Sequence, residues 1–130
     1  EVDRRLVRNR NFTPGFAIQS FLAMMALPRA AQPTAIFCGN DNMAAAVVDV
    51  ARERGLMVPG DLSVAGVDDN PVALTMTPTL TTVRFPFFEL GAQAGEMLRK
   101  LAEDPKSGPL RVLLEPRLVV RASTGGPAAV

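Results

Sequence analysis

Apolar residues recur along the chain in two spacings, and the switches between them divide it into elements. Phe16, Ile18, Phe21, Leu22 and Met25 follow Thr13-Pro14 at largely helical spacing. Thr is a good N-cap and a proline in the first helical position has no N–H to lose, so a helix is expected from residue 14 to the Leu27-Pro28 step. After Pro33, residues 34–38 are apolar without alternation and read as a buried strand, broken by Gly39-Asn40-Asp41. Met43, Val47, Val50 and Ala51 mark a second helix, which Gly55 closes as a left-handed cap. Residues 62–67 read as another buried strand, stopped by Asp68-Asp69-Asn70-Pro71, and residues 80–84 as extended. Pro86 opens a third helix with Phe87, Leu90, Met97, Leu98 and Leu101 as its apolar positions, ending before Pro105. Two late strands are expected at 112–114 and 118–120, and a frayed tail over 125–130.

The strand, helix and strand over 34–67 have about the ~30 residues of a parallel crossover unit. Apolar strands without alternation suit a parallel sheet covered on both faces. The fold class is therefore α/β, with a parallel sheet between helical layers. The 130 residues suffice for one domain, and 48% hydrophobic with 21% charged residues suits a folded chain. No apolar run approaches the ~18 to 20 residues of a membrane span. The first ten residues lack the apolar centre of a secretory signal, and a cytoplasmic setting is expected.

Absent residues exclude more. Without His, neither a Ser-His-Asp nor a Cys-His device can be assembled from this chain. The lone cysteine, Cys38, can form no intrachain disulfide and reads as a small core residue. A net charge of +1 exerts no global pull on nucleic acid, and Arg4, Arg5, Arg8 and Arg10 read as a solvated stretch rather than a DNA arm. Gly91-x-x-x-Gly95 in an amphipathic helix suits close packing rather than membrane pairing.

In open parallel sheets, ligands bind beyond the carboxyl ends of the strands. Asn40-Asp41-Asn42 and Asp68-Asp69-Asn70 follow the two apolar strands and would face one edge. Asn40 or Asp41 can instead cap a helix, and Asp69 and Asn70 can simply shape a turn. As a site, such a rim suits three chemistries. Carboxylates can hold Mg²⁺ for phosphoryl transfer, with Asp41, Asp68 and Asp69 as ligands. Carboxylate and amide oxygens can accept hydrogen bonds from ligand hydroxyls under a Phe face. Two carboxylates can divide acid and base work, as in glycosidases, although that asks for a larger groove. The hydroxyl-binding reading needs nothing extra. Phe85 and Phe87 flank Pro86 where a strand becomes a helix, so both packing inward is difficult.

Three runs carry a resemblance: PTAIFCGNDNMA at 33–44, GLMVPGDLSVAGVDD at 55–69 and PTLTTVRFP at 78–86. Over about 12–124 the chain resembles the C-terminal part of lactose-repressor/galactose-repressor (LacI/GalR) family transcription regulators. The resemblance implies a type I periplasmic-binding-protein-like fold, here incomplete and mostly its C-terminal lobe, with 1–124 a partial effector-binding and dimerisation domain. It implies no enzyme and no cofactor or metal. The implied partners are a small effector of the sugar or nucleobase class, a second copy, and operator DNA through a head outside this chain. Asn40 and Asp68 match positions that hydrogen-bond the effector, Phe12 an aromatic that packs on it, and Phe87 the pocket wall. Phe85 stands where relatives often carry Gln, which weakens the case for a highly polar sugar. Relatives use the helix resembling 43–54 and the segment around Met76 in dimerisation, so Met43, Ala44, Ala45, Val47 and Met76 are candidate interface residues. The helix at 87–101 belongs to the other lobe in relatives. Its apolar face is therefore expected to drive self-association or exchange of the C-terminal segment between copies. The alternatives are the solute-binding lobe of a sugar transport receptor and a Mg²⁺-dependent phosphoryl-transfer, receiver-like domain.

Overall fold

The computed structural model describes residues 3–9, 11–106, 108 and 110–126. Among these the order is α1 (Pro14–Met25), β1 (Ala35–Phe37), α2 (Asp41–Glu53), β2 (Ser63–Val67), α3 (Val72–Thr75), β3 (Thr81–Arg84), α4 (Phe87–Glu103) and β4 (Arg117–Val119). Arg10 and residues 127–130 of the expected tail lie outside the described residues. The helix starts are those the capping residues predict. Thr13 Oγ1 accepts the Phe16 N–H at 3.3 Å, and Pro14 begins α1. Asn40 Oδ1 accepts the Met43 N–H at 2.9 Å at the start of α2. Gly55, at φ +76°, follows the C-cap of α2.

The sheet order is β1-β2-β3-β4. β1 pairs with β2 and β2 with β3 in parallel, so the crossover read from residues 34–67 is present. β4 runs antiparallel to β3, because the chain leaves the sheet through α4 and returns along the same edge. The expected strand at 112–114 does not form. β4 already occupies the outer edge of β3, and Arg84↔Arg117 is the last pair. Residues before Arg117 would have to pair beyond β3, where Phe85-Pro86 turns into α4 and proline has no N–H to offer. α3 is a helical turn where only a loop was expected, and Asn70 Oδ1 accepts the Val72 N–H at its start at 3.1 Å.

The core packs Phe21 of α1, Val47, Val48 and Ala51 of α2 and Ala73 of α3 with Val64 and Leu80. Each fully buried large apolar side chain contributes ~1.5–3 kcal/mol. On the strands, Val64, Gly66 and Thr82 are buried, whereas Phe37 is 67% exposed. The apolar run that forms β1 was expected to be covered on both faces. It is instead an edge strand, with Ala35 and Phe37 exposed and Ile36 half-buried against the core.

The C-terminal segment fastens the sheet. Ser123 is buried, donates from Oγ to Val64 O at 2.6 Å and accepts the Thr81 N–H at 2.8 Å. Gly125, expected to begin a frayed tail, donates its N–H to Ser63 Oγ at 3.1 Å. Among the described residues no helix is long and apolar enough to cross a membrane.

Candidate functional site

The site is set by strand register. Phe37 is level with Ala65, and Ala65 with Thr81. β1 and β2 run parallel, so Asn40, in the bend after β1, and Asp68, directly after β2, both lie at the carboxyl ends of adjacent strands, and Arg84 ends β3 beside them. The hydrogen bond from Asp68 N to Val83 O, 2.9 Å, extends the β2–β3 pairing up to that row. The amide and carboxylate singled out from the sequence thus leave the sheet side by side. Arg84 completes the row; it lies in the PTLTTVRFP run, but sequence reasoning assigned it no role in a site.

The three carboxylates differ in what they are free to do. Asp41 is fully buried. Its Oδ1 accepts the Thr82 hydroxyl at 2.6 Å and its Oδ2 the Asn70 N–H at 2.9 Å. It is neither a cap nor a ligand group but a tie between α2, β3 and the loop after β2. Gly66 makes room for it, since a Cβ there would stand 2.4 Å from Asp41 Oδ1. Asp69 is also taken up. Its Oδ1 accepts from Arg121 Nη2 at 2.6 Å and its Oδ2 from Arg84 Nε at 2.5 Å. Burial alone would raise the pKa of Asp69, but the hydrogen bonds from Arg121 and Arg84 outweigh it and hold it below the ordinary carboxylate value. Asp68 differs from both: among the described residues no side-chain hydrogen bond involves its carboxylate. Burial, and then the negative charge of Asp41, push its pKa up.

Consecutive positive φ angles turn these neighbours apart, +108° at Asp68 and +56° at Asp69. Non-glycine residues adopt such angles uncommonly, and they persist where surrounding contacts enforce them. Here the bonds to Val83, Asp41 and the two arginines do so. The division of labour also weakens the Mg²⁺ reading. Asp41 and Asp69 already have their oxygens engaged, and two guanidiniums beside Asp69 repel a cation.

Asn40 is half committed. Its Oδ1 caps α2, while its Nδ2 donates to Phe12 O across a long 3.4 Å. The Phe12 ring lies against Gly39, where a Cβ would meet Phe12 Cε1 at 2.7 Å, so a side chain at position 39 would displace the ring. Phe12 is 72% exposed and presents an open aromatic face next to Asn40. Phe85 and Phe87 do not pack inward. Both are exposed, with ring centroids 5.8 Å apart and tilted by 41°. With Asp68, Arg84 and Arg117 they line an open cleft of about 700 Å³. A smaller hollow of about 290 Å³ lies between α1 and β1, lined largely by Phe16, Phe21, Met24 and Phe37.

The interface candidates need correction. Met43, Ala44 and Val47 are buried in this chain's own core, which leaves them no surface to offer a second copy. Their helical spacing records the face of α2 that packs inward. Ala45 and Met76 remain half-buried. α4 has no buried residue at all, and Phe88, Leu90 and Leu98 are exposed along it.

A model of the periplasmic binding protein-like domain family matches residues 2–124. The arabinose metabolism transcriptional repressor of Geobacillus stearothermophilus is 40% identical over 98 residues, which are 75% of this chain and 27% of that protein. The chain thus spans about a quarter of the length of the curated relatives it matches. Among solved structures, a regulatory protein of the LacI family from Chloroflexus aggregans has a TM-score of 0.87 at 33% identity, over 96% of this chain and 44% of that one. A complex of the transcriptional regulator CelR with cellobiose has a TM-score of 0.86 at 32% identity, over 95% of this chain and 37% of that one.

Proposed function

Because this chain belongs to the periplasmic binding protein-like domain family, in the branch of LacI-family transcription regulators, we propose that it is the effector-sensing and dimerisation part of such a regulator. The observation that carries the reading is the row of Asn40 and Asp68 at one rim, flanked by exposed aromatic faces. A carboxylate without an internal partner accepts hydrogen bonds from ligand hydroxyls. A lightly held amide N–H₂ donates to ligand oxygens, and an aromatic face covers the apolar side of a ring. The ligand is therefore a small ring compound bearing hydroxyl or amide groups, of the sugar or nucleobase class. Asp68 and Asn40 anchor it, Phe12 covers one face, and Phe85 and Phe87 form the wall. The cellobiose held by one structural neighbour supports the sugar class.

The role is binding, not catalysis. The ligand changes which conformation of the regulator is populated, and a separate head reads operator DNA in the cytoplasm. The surface left around Ala45 and Met76, together with the apolar face of α4, favours a homodimer or a segment-exchanged oligomer.

The test uses a regulator that carries this domain with both lobes. Thermal stabilisation is measured with cellobiose, ribose, sucrose and arabinose as probes, and saturable stabilisation by at least one is expected. Asp68→Ala abolishes it. Stabilisation that survives Asp68→Ala removes Asp68 from the site. This chain alone leaves duplex DNA unshifted; a salt-sensitive, sequence-selective shift contradicts the assignment.

A further inference from the structure

Residues 85–116 form an excursion that leaves the sheet at the end of β3 and returns at the start of β4. α4, its main element, has no buried residue. The orientation of the excursion is therefore set where β3 and β4 meet, and the last pair there is Arg84↔Arg117. Like charges directly opposite on an antiparallel pair repel. Asp69 counters that repulsion from the neighbouring strand end. Its carboxylate bridges Arg84, the last residue of the outgoing strand, and Arg121, just past the returning one. Arg121 in turn donates from Nη1 to Leu80 O at 2.8 Å, on the approach to β3. The side chain of Asp69 is 5% exposed and that of Arg121 is 11% exposed, so water screens this bridge poorly.

We propose that Asp69 is a positioning residue: by latching β3 to the segment after β4, it fixes where Phe85 and Phe87 stand relative to Asn40 and Asp68. The role of those aromatics as a site wall rests on the effector reading; the latch itself does not. Adjacent carboxylates thus hold opposite tasks, Asp68 open to the ligand and Asp69 closed on the crossover.

The experiment measures the distribution of distances between nitroxide labels at Asp49→Cys on α2 and Gln93→Cys on α4. Both positions are exposed. Labelled chain is diluted with unlabelled chain so that only distances within one molecule are read. The buried Cys38 is checked for labelling on the parent chain. Asp69→Asn at least doubles the width of the distribution at a temperature where circular dichroism shows the variant folded. Arg84→Met broadens it in the same direction, Arg84→Lys restores most of the parent width, and the double variant is no broader than Asp69→Asn alone. An unchanged width with only a lowered melting temperature means that Asp69 is merely structural, and overturns the proposal. Should Asp69→Asn not fold, Arg84→Met decides, since Arg84 is half exposed and its loss leaves the core intact. No ligand enters the measurement. Broadening in a protein that binds neither the sugar probes nor adenine or guanine overturns the effector reading and leaves the latch standing.

Discussion

The buried carboxylate of Asp41 supports the sharpest energetic prediction. It holds Thr82 Oγ1 at 2.6 Å and Asn70 N at 2.9 Å with no exposed surface. Hydrogen bonds to a charged group contribute ~1.5–3 kcal/mol each, and a buried donor left without a partner costs a similar amount. Asp41→Ala strands two donors, yet it also removes a buried charge whose desolvation opposed folding. The net cost is set at ~3–5 kcal/mol. That is a large part of the ~5–15 kcal/mol that holds a typical domain. Asp41→Asn keeps one acceptor and can donate to the hydroxyl, so it costs about 1–2 kcal/mol. Gly66 supplies the second arm of the test. A methyl group there meets Asp41 Oδ1 at 2.4 Å, Leu80 Cδ2 at 3.0 Å and Asp41 Cα at 3.2 Å. Overpacking of this kind costs ~1–3 kcal/mol. Gly66→Ala must also displace the carboxylate from its partners, so the wild-type background shows the upper end of that range. With Asp41→Ala in place the tightest obstacle is gone, and the cost of Gly66→Ala falls by at least about 1 kcal/mol. Urea unfolding of the four chains at a common m-value gives the cycle. Costs that add to within ~0.5 kcal/mol refute the argument, as does an Asp41→Ala cost below ~1 kcal/mol.

Three further outcomes follow from the same geometry. The pKa of Asp68 is raised on folding by burial and by Asp41, so its ionised form opposes folding. The stability it leaves intact is fully present below the unfolded value of about 3.9 and is lost as pH rises through the folded value. Asp68→Asn therefore raises the melting temperature at pH 7 and not at pH 3; equal effects at both values break the link. Burial pushes the Cys38 thiol up to about 12. Its alkylation at pH 8 is thus at least ~100-fold slower in the folded chain than in urea, and comparable rates place the thiol at the surface. Phe88, Leu90 and Leu98 of α4 are exposed, and burying them against a second copy is expected to favour association. Light scattering after gel filtration finds dimers or larger species, and Leu98→Glu shifts them toward monomer. A monodisperse monomer, with α4 packed on its own chain, sinks this expectation.

What the sequence made legible was local. Thr13-Pro14, Asn40 and Gly55 announce helix ends because a cap is a transaction between residues a few positions apart. The apolar runs around Ile36 and Val64 announce strands, and their spacing implies a parallel crossover. From these the rim shared by Asn40 and Asp68 follows, since parallel neighbours end on the same edge. The sequence reading overreached in two places. Met43, Ala44 and Val47, named as interface candidates on the family resemblance, are held by this chain's own core. The apolar β1 has the composition of a central strand and the position of an edge. What stayed hidden was long-range polar pairing. Asp68 and Asp69 are chemically identical neighbours, and no property of either says which one is free. Arg84, 15 residues away, and Arg121, 52 residues away, decide it by closing on Asp69. Asp41 is claimed in the same way by Thr82, 41 residues on. In a row of acids the free carboxylate is therefore found by elimination, after the arginines and hydroxyls that engage the others have been located in space. Under the proposed effector reading, that elimination, and not the position at a strand end alone, singles out Asp68 as the anchoring carboxylate.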